Sequence, residues 1–154
     1  MVAALTACSS GASASRTGRA GQPAPNWTEQ TSSGKPLELA SLRGKPVYLN
    51  FFATWCPPCN EEAPYINQFQ KEYAPRGLQV VGVDELESGK KAQSFVDKYG
   101  LVYPAVVDDG KLQSQYSVNG LPVHVFIKRS GVIAKIVIGE MSREQIRAAI
   151  ESIL

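Results

Sequence analysis

Residues 47–52, Val-Tyr-Leu-Asn-Phe-Phe, form a mostly apolar run, and after Ala53 and Thr54 the chain reads Trp55-Cys56-Pro57-Pro58-Cys59. A short run of this kind is the pattern of a strand buried on both faces. Consecutive prolines are tolerated in the first turn of a helix, where their missing N–H groups would have no partner anyway. Residues 57–73 are therefore expected to be helical, with Glu61 and Glu62 near the positive end and a kink at Pro64. A cysteine pair at the junction of a buried strand and a helix N-terminus is the strongest constraint in the sequence.

That placement has a chemical consequence. A thiolate, not a thiol, attacks a disulfide, and a free cysteine with pKa near 8.5 is mostly protonated at neutral pH. Unpaired N–H groups and the helix dipole stabilise the anion of a Cys just ahead of a helix. Cys56, nearer the N-terminus and expected to be the more exposed of the two, is the candidate nucleophile. Two intervening residues bring Cys59 within about one helical turn, where it can resolve a mixed disulfide. Pro57 and Pro58 remove two donors that would otherwise stabilise the Cys56 thiolate, which favours a reducing over a strongly oxidising centre.

The remaining pattern is an alternation of strands and helices. Residues 78–83 read as a second buried strand, and 89–99 as a helix with Ala92, Phe95, Val96 and Tyr99 on one face. Residues 105–107 are a short third strand, and 111–116 a short helix. Two antiparallel strands, 123–128 and 132–138, are joined by a turn at Arg129-Ser130-Gly131. Ser142 and Gln145 form a capping box for a last helix that buries Ile146, Ala149, Ile150, Ile153 and Leu154. Leu37-Glu38-Leu39 adds a short β extension ahead of this core. The order β-α-β-α-β-β-α, with no internal repeat, places the chain in the α/β class with a central mixed sheet flanked by helices; it matches the thioredoxin topology.

Sixteen basic and fourteen acidic residues leave a formal charge of +2, with no Lys/Arg stripe of the kind nucleic acid requires. Three cysteines cannot build a disulfide framework. Residues 9–25 are almost entirely Ser, Ala, Gly, Thr, Arg, Gln and Pro and read as a flexible tether, so residues 1–25 are expected to stand apart from one domain at 26–154. Leu5-Thr6-Ala7-Cys8 resembles a bacterial lipobox, which makes Cys8 a candidate lipidation site, although residues 1–7 are too few for a full secretory signal. On that reading the protein is held at the extracytoplasmic face of a bacterial membrane by its lipid, and without it the chain is soluble.

A Cys-x-x-Cys pair is also half of a zinc site, but only Cys8 and His124 remain as Cys or His ligands. A copper site from Cys56, Cys59 and His124 is a second alternative, at a thiol spacing of two residues rather than the three usual in copper proteins of this fold. No metal is expected; the redox group is the Cys56–Cys59 disulfide itself. His124 shares a strand face with Pro122 and is expected to be a packed, hydrogen-bonded core residue. Phe51 and Phe52 are expected to be core.

The segment Leu49-Asn50-Phe51-Phe52-Ala53-Thr54-Trp55-Cys56-Pro57-Pro58-Cys59 resembles the TlpA/ResA/CcmG branch of thioredoxin-like proteins. The resemblance runs from about Trp27 to Leu154 and includes Leu39-Ala40-Ser41-Leu42-Arg43-Gly44-Lys45-Pro46, Glu61-Glu62-Ala63-Pro64 and Gly120-Leu121-Pro122. It implies a membrane-tethered, extracytoplasmic protein-disulfide oxidoreductase, acting as a reductase on clients such as apocytochrome c or other exported proteins. A membrane thiol-disulfide donor of CcdA/DsbD type would recharge it, with no nucleic acid involved and a monomer as the working form. A disulfide oxidase or isomerase is the alternative within redox chemistry, and a peroxidase lacks the Thr and Pro at the required offsets before Cys56. The resemblance makes Pro122 a cis-proline facing the cysteines and Leu121 a backbone partner for a client strand, and Trp55, beside the nucleophile, is expected to shield the disulfide and contact clients.

Asn50 stands where cytosolic thioredoxins place a buried Asp. By position Glu87 matches a glutamate near the cysteines of ResA-like members and is the candidate for proton transfer with Cys59, with Glu85 as competitor. Asp84, Glu85 and Glu87 could equally form a solvated acidic loop. His124 and Asp84-Glu85-Leu86 depart from the family pattern, which favours threonines after the cis-proline and small residues after the second strand.

Overall fold

The computed structural model describes residues 17–154. Strands β1 (Thr28–Gln30) and β2 (Pro36–Glu38) form a small antiparallel hairpin, followed by a 3-10 turn at Leu39–Leu42. Then come β3 (Val47–Phe52), α1 (Pro57–Tyr73), β4 (Gln79–Glu85), α2 (Gly89–Tyr99), β5 (Ala105–Asp108), α3 (Lys111–Gln115), β6 (Val123–Ile127), β7 (Ile133–Ile138) and α4 (Arg143–Glu151). The main sheet has the order β5-β4-β3-β6-β7, parallel from β5 to β3 and antiparallel through β6 and β7. This is the mixed α/β sheet expected of a thioredoxin fold.

β3 is buried along its whole length because it is the middle strand and is covered on both faces. Its period of two splits the core. Leu49 and Phe51 pack with Val81, Val83 and Val125 beneath Trp27, Leu39, Leu112 and Tyr116. Tyr48 and Phe126 pack with Ile66 and Phe69 of α1 and Ile146 and Ile150 of α4. The two parallel crossovers β3-α1-β4 and β4-α2-β5 step in one direction across the sheet, so right-handed connections put α1 and α2 on the same face. Phe95 of α2 accordingly stacks on Phe52, their centroids 4.4 Å apart.

Two expectations shift. β4 continues to Glu85 because Asp84 and Glu85 pair with Val107 and Asp108 of β5. The two carboxylates are buried, as is most of the Glu87 side chain, so this is no solvated acidic loop. The boundary expected at residue 26 also moves. Within the described residues the N–H groups of Gly18, Gly21 and Ala24 donate to the carbonyls of Gln115, Ile133 and Gly131 at 2.7, 2.8 and 2.9 Å. A side chain at residue 18 would meet the Tyr116 ring at 2.7 Å, so only glycine fits there. Backbone pairing needs no apolar periodicity, which is why a Gly/Ala/Pro segment that reads as a tether lies on the domain. Cys8 and the lipobox-like segment lie outside the described residues.

Candidate active site

The cysteines emerge at the C-terminal end of the central strand. The register pairs Phe52 with Asp84 on one side and Phe51 with Val123 on the other, so the segment after β3 is flanked by the end of β4 and by the chain entering β6. Sequence-distant residues meet here for that reason. Cys56 and Cys59 are joined in a disulfide. Cys56 is the N-cap of α1, and the first two helical positions are Pro57 and Pro58. The Cys59 N–H donates to Cys56 Sγ at 3.4 Å, the first donor the helix offers after two residues that have none. The cysteines are 3% and 2% exposed, so exposure does not distinguish them in the disulfide, and helix position does.

Two side chains hold the strand-to-helix junction. Glu87 accepts from the Thr54 N–H at 2.7 Å and the Thr54 hydroxyl at 2.8 Å, and pairs with Lys91 at 3.2 Å. Burial works to raise its pKa, but the bonds from Thr54 and Lys91 prevail and hold it below the usual carboxylate range. A left-handed Leu86, φ 55°, turns the chain so that Glu87 points back at Thr54. Asn60 of α1 donates to the Thr54 and Cys56 carbonyls at 3.0 and 2.8 Å, and its Oδ1 accepts from Tyr99 and Lys98 of α2. Both Glu87 oxygens are thus engaged by Thr54. The carboxylate anchors the active-site segment, and as a held anion it is poorly suited to the proton transfer expected of it.

Asp84, behind Glu87, is fully buried with neither carboxyl oxygen hydrogen-bonded, and is pushed up to about 8, first by burial and then by the neighbouring Glu87 and Glu85 carboxylates. Its carboxyl therefore favours the protonated form near neutrality. Glu85 points to the other sheet face and is pushed up to about 7 by burial and by Asp108. The Glu87→Gln variant offers one oxygen to the two Thr54 donors. Its Thr54 amide is expected to exchange hydrogen at least tenfold faster, with slower thiol-disulfide exchange and stability lower by about 1–3 kcal/mol. An unchanged Thr54 exchange rate would remove the anchor.

Reading the sequence did not assign Glu62. It lies three residues past Cys59, hence on the same face of α1, and is fully buried. Its Oε1 accepts from the Met141 N–H at 2.8 Å, and its Oε2 has no hydrogen-bond partner. Burial pushes its pKa up to about 7 against the Met141 bond, with Glu140 and Glu61 adding repulsion. The recognisable signal was the spacing Cys59, Glu62, Ile66, Phe69, Tyr73, which puts a carboxylate on the buried stripe of the helix.

Leu121 and Pro122 lie where the chain enters β6, and their peptide bond is cis. Leu121 packs against the cluster that contains both cysteines. Trp55 is 69% exposed, an indole standing in solvent beside Cys56. His124 is fully buried in the core; its Nδ1 lies 2.7 Å from the Tyr48 hydroxyl and its Nε2 3.1 Å from the Gly139 carbonyl. Copper ligation by His124 would break one of these buried bonds. Among the described residues no three Cys, His, Asp or Glu side chains are grouped to hold a metal ion.

Residues 20–136 match the AhpC/TSA family. The thiol-disulfide oxidoreductase ResA of Bacillus anthracis is 37% identical over 134 residues, covering 86% of this chain and 78% of that protein. A thioredoxin-family thiol:disulfide interchange protein from Chlorobium tepidum TLS superposes with a TM-score of 0.80 at 32% identity, over 86% of this chain and 95% of the other. The pneumococcal exposed lipoprotein thioredoxin of Streptococcus pneumoniae strain TIGR4 does so at 0.73 and 26%, over 82% and 98%. A dithiol at the head of a helix, in this fold and with these relatives, is a protein-disulfide oxidoreductase centre, and the chain belongs to the AhpC/TSA family as a ResA-like thiol-disulfide oxidoreductase.

Proposed function

We propose that the chain is an extracytoplasmic reductase of protein disulfides, with Cys56 as nucleophile and Cys59 as resolving thiol. The observation that carries this reading is the pair of prolines between the cysteines. With N1 and N2 lacking N–H groups, the Cys56 thiolate has the Cys59 N–H as its first backbone donor, so the dithiol is stabilised little relative to the disulfide.

The Cys56 thiolate attacks one sulfur of a client disulfide, forming a Cys56–client bond and releasing the other client sulfur as a thiolate. Cys59 then loses its proton and attacks Cys56 Sγ. This forms the Cys56–Cys59 disulfide and releases the second client thiolate; the protons of the two enzyme thiols end on the client dithiol. Glu62, one turn past Cys59 and titrating near neutrality, is suited to accept the Cys59 proton. Trp55 covers the approach, and the backbone of Leu121 beside Pro122 offers pairing to an extended client segment. The disulfide of the enzyme is reduced again by a membrane dithiol donor of CcdA/DsbD type, and clients include apocytochrome c or other exported proteins. Cys8 as a lipid attachment site would hold the domain at the extracytoplasmic face of the membrane, a reading supported by the lipobox-like Leu5-Thr6-Ala7-Cys8 and by likeness to an exposed lipoprotein. Among the described residues no helix is long and apolar enough to cross a membrane.

Equilibration with a thiol redox buffer tests the direction of electron flow. The expected potential lies nearer about −270 mV, as in thioredoxin, than about −120 mV, as in DsbA. A value near the latter would make the protein an oxidase.

A further inference from the structure

The buried His124 has a hydrogen-bond environment that fixes its tautomer. Around Nδ1 stand two donors, the Tyr48 hydroxyl at 2.7 Å and Asn50 Nδ2 at 3.5 Å. Around Nε2 stand two acceptors, the Gly139 carbonyl at 3.1 Å and Glu62 Oε2 at 3.6 Å. Nδ1 must therefore accept and Nε2 must carry the hydrogen. Burial keeps Tyr48 protonated, far above its ordinary pKa, and pushes His124 down to about 4 despite its Gly139 bond. Near neutrality the mobile proton of this cluster thus belongs to Glu62, not to the imidazole.

Glu62 touches Met141 ahead of α4 and His124 on β6, and the other titratable groups acting on or coupled to it are Glu61 and Tyr65 on α1, Tyr48 on β3, Tyr103 ahead of β5 and Glu140 ahead of α4. The two neighbouring carboxylates oppose its ionisation. With Oε1 on Met141, the buried and unpartnered Oε2 faces the Nε2–H of His124. At 3.6 Å that contact is too long for a hydrogen bond, and Nε2–H rests on Gly139.

We propose that His124 is a positioning residue for the Glu62 proton: its Nε2–H rests on Gly139 while Glu62 is protonated and turns to Oε2 when Glu62 ionises. The inference rests on the reading that Glu62 takes the Cys59 proton. It places the control of that step on β6, two residues beyond Pro122, whose carbonyl accepts the N–H of the same Gly139 at 2.8 Å. The imidazole supplies a donor that stays neutral, so it favours the Glu62 anion without competing for its proton.

Nitrogen NMR of the intact protein reads the tautomer directly. Expected is a neutral imidazole protonated on Nε2 from pH 5.5 to 8; an Nδ1–H tautomer, or an imidazolium at pH 7, would overturn the proposal. Carboxyl-carbon NMR then follows Glu62. In His124→Leu its midpoint is expected to rise by about one pH unit or more, and His124→Gln, which keeps an N–H donor, to recover at least half of that. Should His124→Leu fail to fold, Tyr48→Phe removes the hydroxyl that fixes the tautomer and is expected to raise the Glu62 midpoint by a smaller amount. An unmoved midpoint in every folded variant would overturn the assignment. The pH profile of thiol-disulfide exchange separates the two readings. If the Glu62 midpoint moves while the exchange profile does not follow, the coupling of Glu62 to Cys59 fails and the hold of His124 on Glu62 stands.

Discussion

Cys56→Ser is expected to lose disulfide reduction by about 10³-fold or more, while Cys59→Ser accumulates a covalent complex with its client. The two thiols are almost equally buried in the disulfide, so their roles are separated by position on the helix rather than by exposure. Cys56 is the N-cap and stands beside the exposed Trp55, where an incoming disulfide can reach it. Cys59 lies one turn inside α1, on the face that carries Glu62, and its target is Cys56 Sγ. A serine at 59 cannot attack, so the Cys56–client disulfide persists until an added thiol releases it. Incubating each variant with an oxidised test protein and resolving the products without reductant checks this. Capture by Cys56→Ser instead, or unimpaired turnover by Cys59→Ser, would reverse the assignment. The captured species from intact cells would also identify the clients.

The second large effect is on stability. Asp84 at about 8 and Glu62 and Glu85 at about 7 all sit above their unfolded values near 4. Raised carboxyl pKa values mean that the folded chain keeps protons the unfolded chain has released. Their contribution is complete below about pH 4 and is lost as the pH climbs through 7 to 8. His124, lowered to about 4, acts oppositely, because the unfolded imidazole takes up a proton below about 6.5. Between about pH 4.5 and 6.5 the balance is three protons against one, and above 6.5 the carboxyls act alone.

The protein is therefore expected to be less stable at pH 8 than at pH 5.5, by at least about 2 kcal/mol after a discount for solvent screening, read from urea unfolding midpoints. Asp84→Asn removes one titration and leaves the Glu87 bonds to Thr54 in place, so it should flatten the profile without releasing Thr54. A midpoint that rises from pH 5.5 to 8 would contradict this arrangement of buried protons. The same groups link stability to chemistry, since Glu62 becomes able to accept a proton only at the upper end of the pH range over which its burial costs stability.

Much of this architecture was legible in the residues. The apolar run of residues 47–52, the prolines after Cys56 and the Ser142–Gln145 box are local signals, and the strand, the helix start and the capping box stand where they indicate. The succession β-α-β-α-β-β-α was legible too, whereas the order of the strands in the sheet comes from the structure. The tether-like composition of residues 18–25 misled because its contacts use backbone groups, which composition does not encode. Asp84 and Glu85 read equally well as a solvated loop because nothing adjacent in sequence reveals that β5 extends beside them.

Cys56 and Cys59 were determined by the sequence alone: two thiols, two prolines and a helix start are local chemistry, complete within five residues. What surrounds them was decided only by the tertiary structure. Sheet register brings the end of β4 and the entry to β6 against the segment after β3, so Glu87 closes on Thr54 and Pro122 lies beside the redox segment. Burial then sets the protons, neutralising Asp84, bringing Glu62 to the edge of ionisation and keeping His124 uncharged. A pKa depends on how much water and which charges surround a group, and those neighbours come from distant parts of the chain.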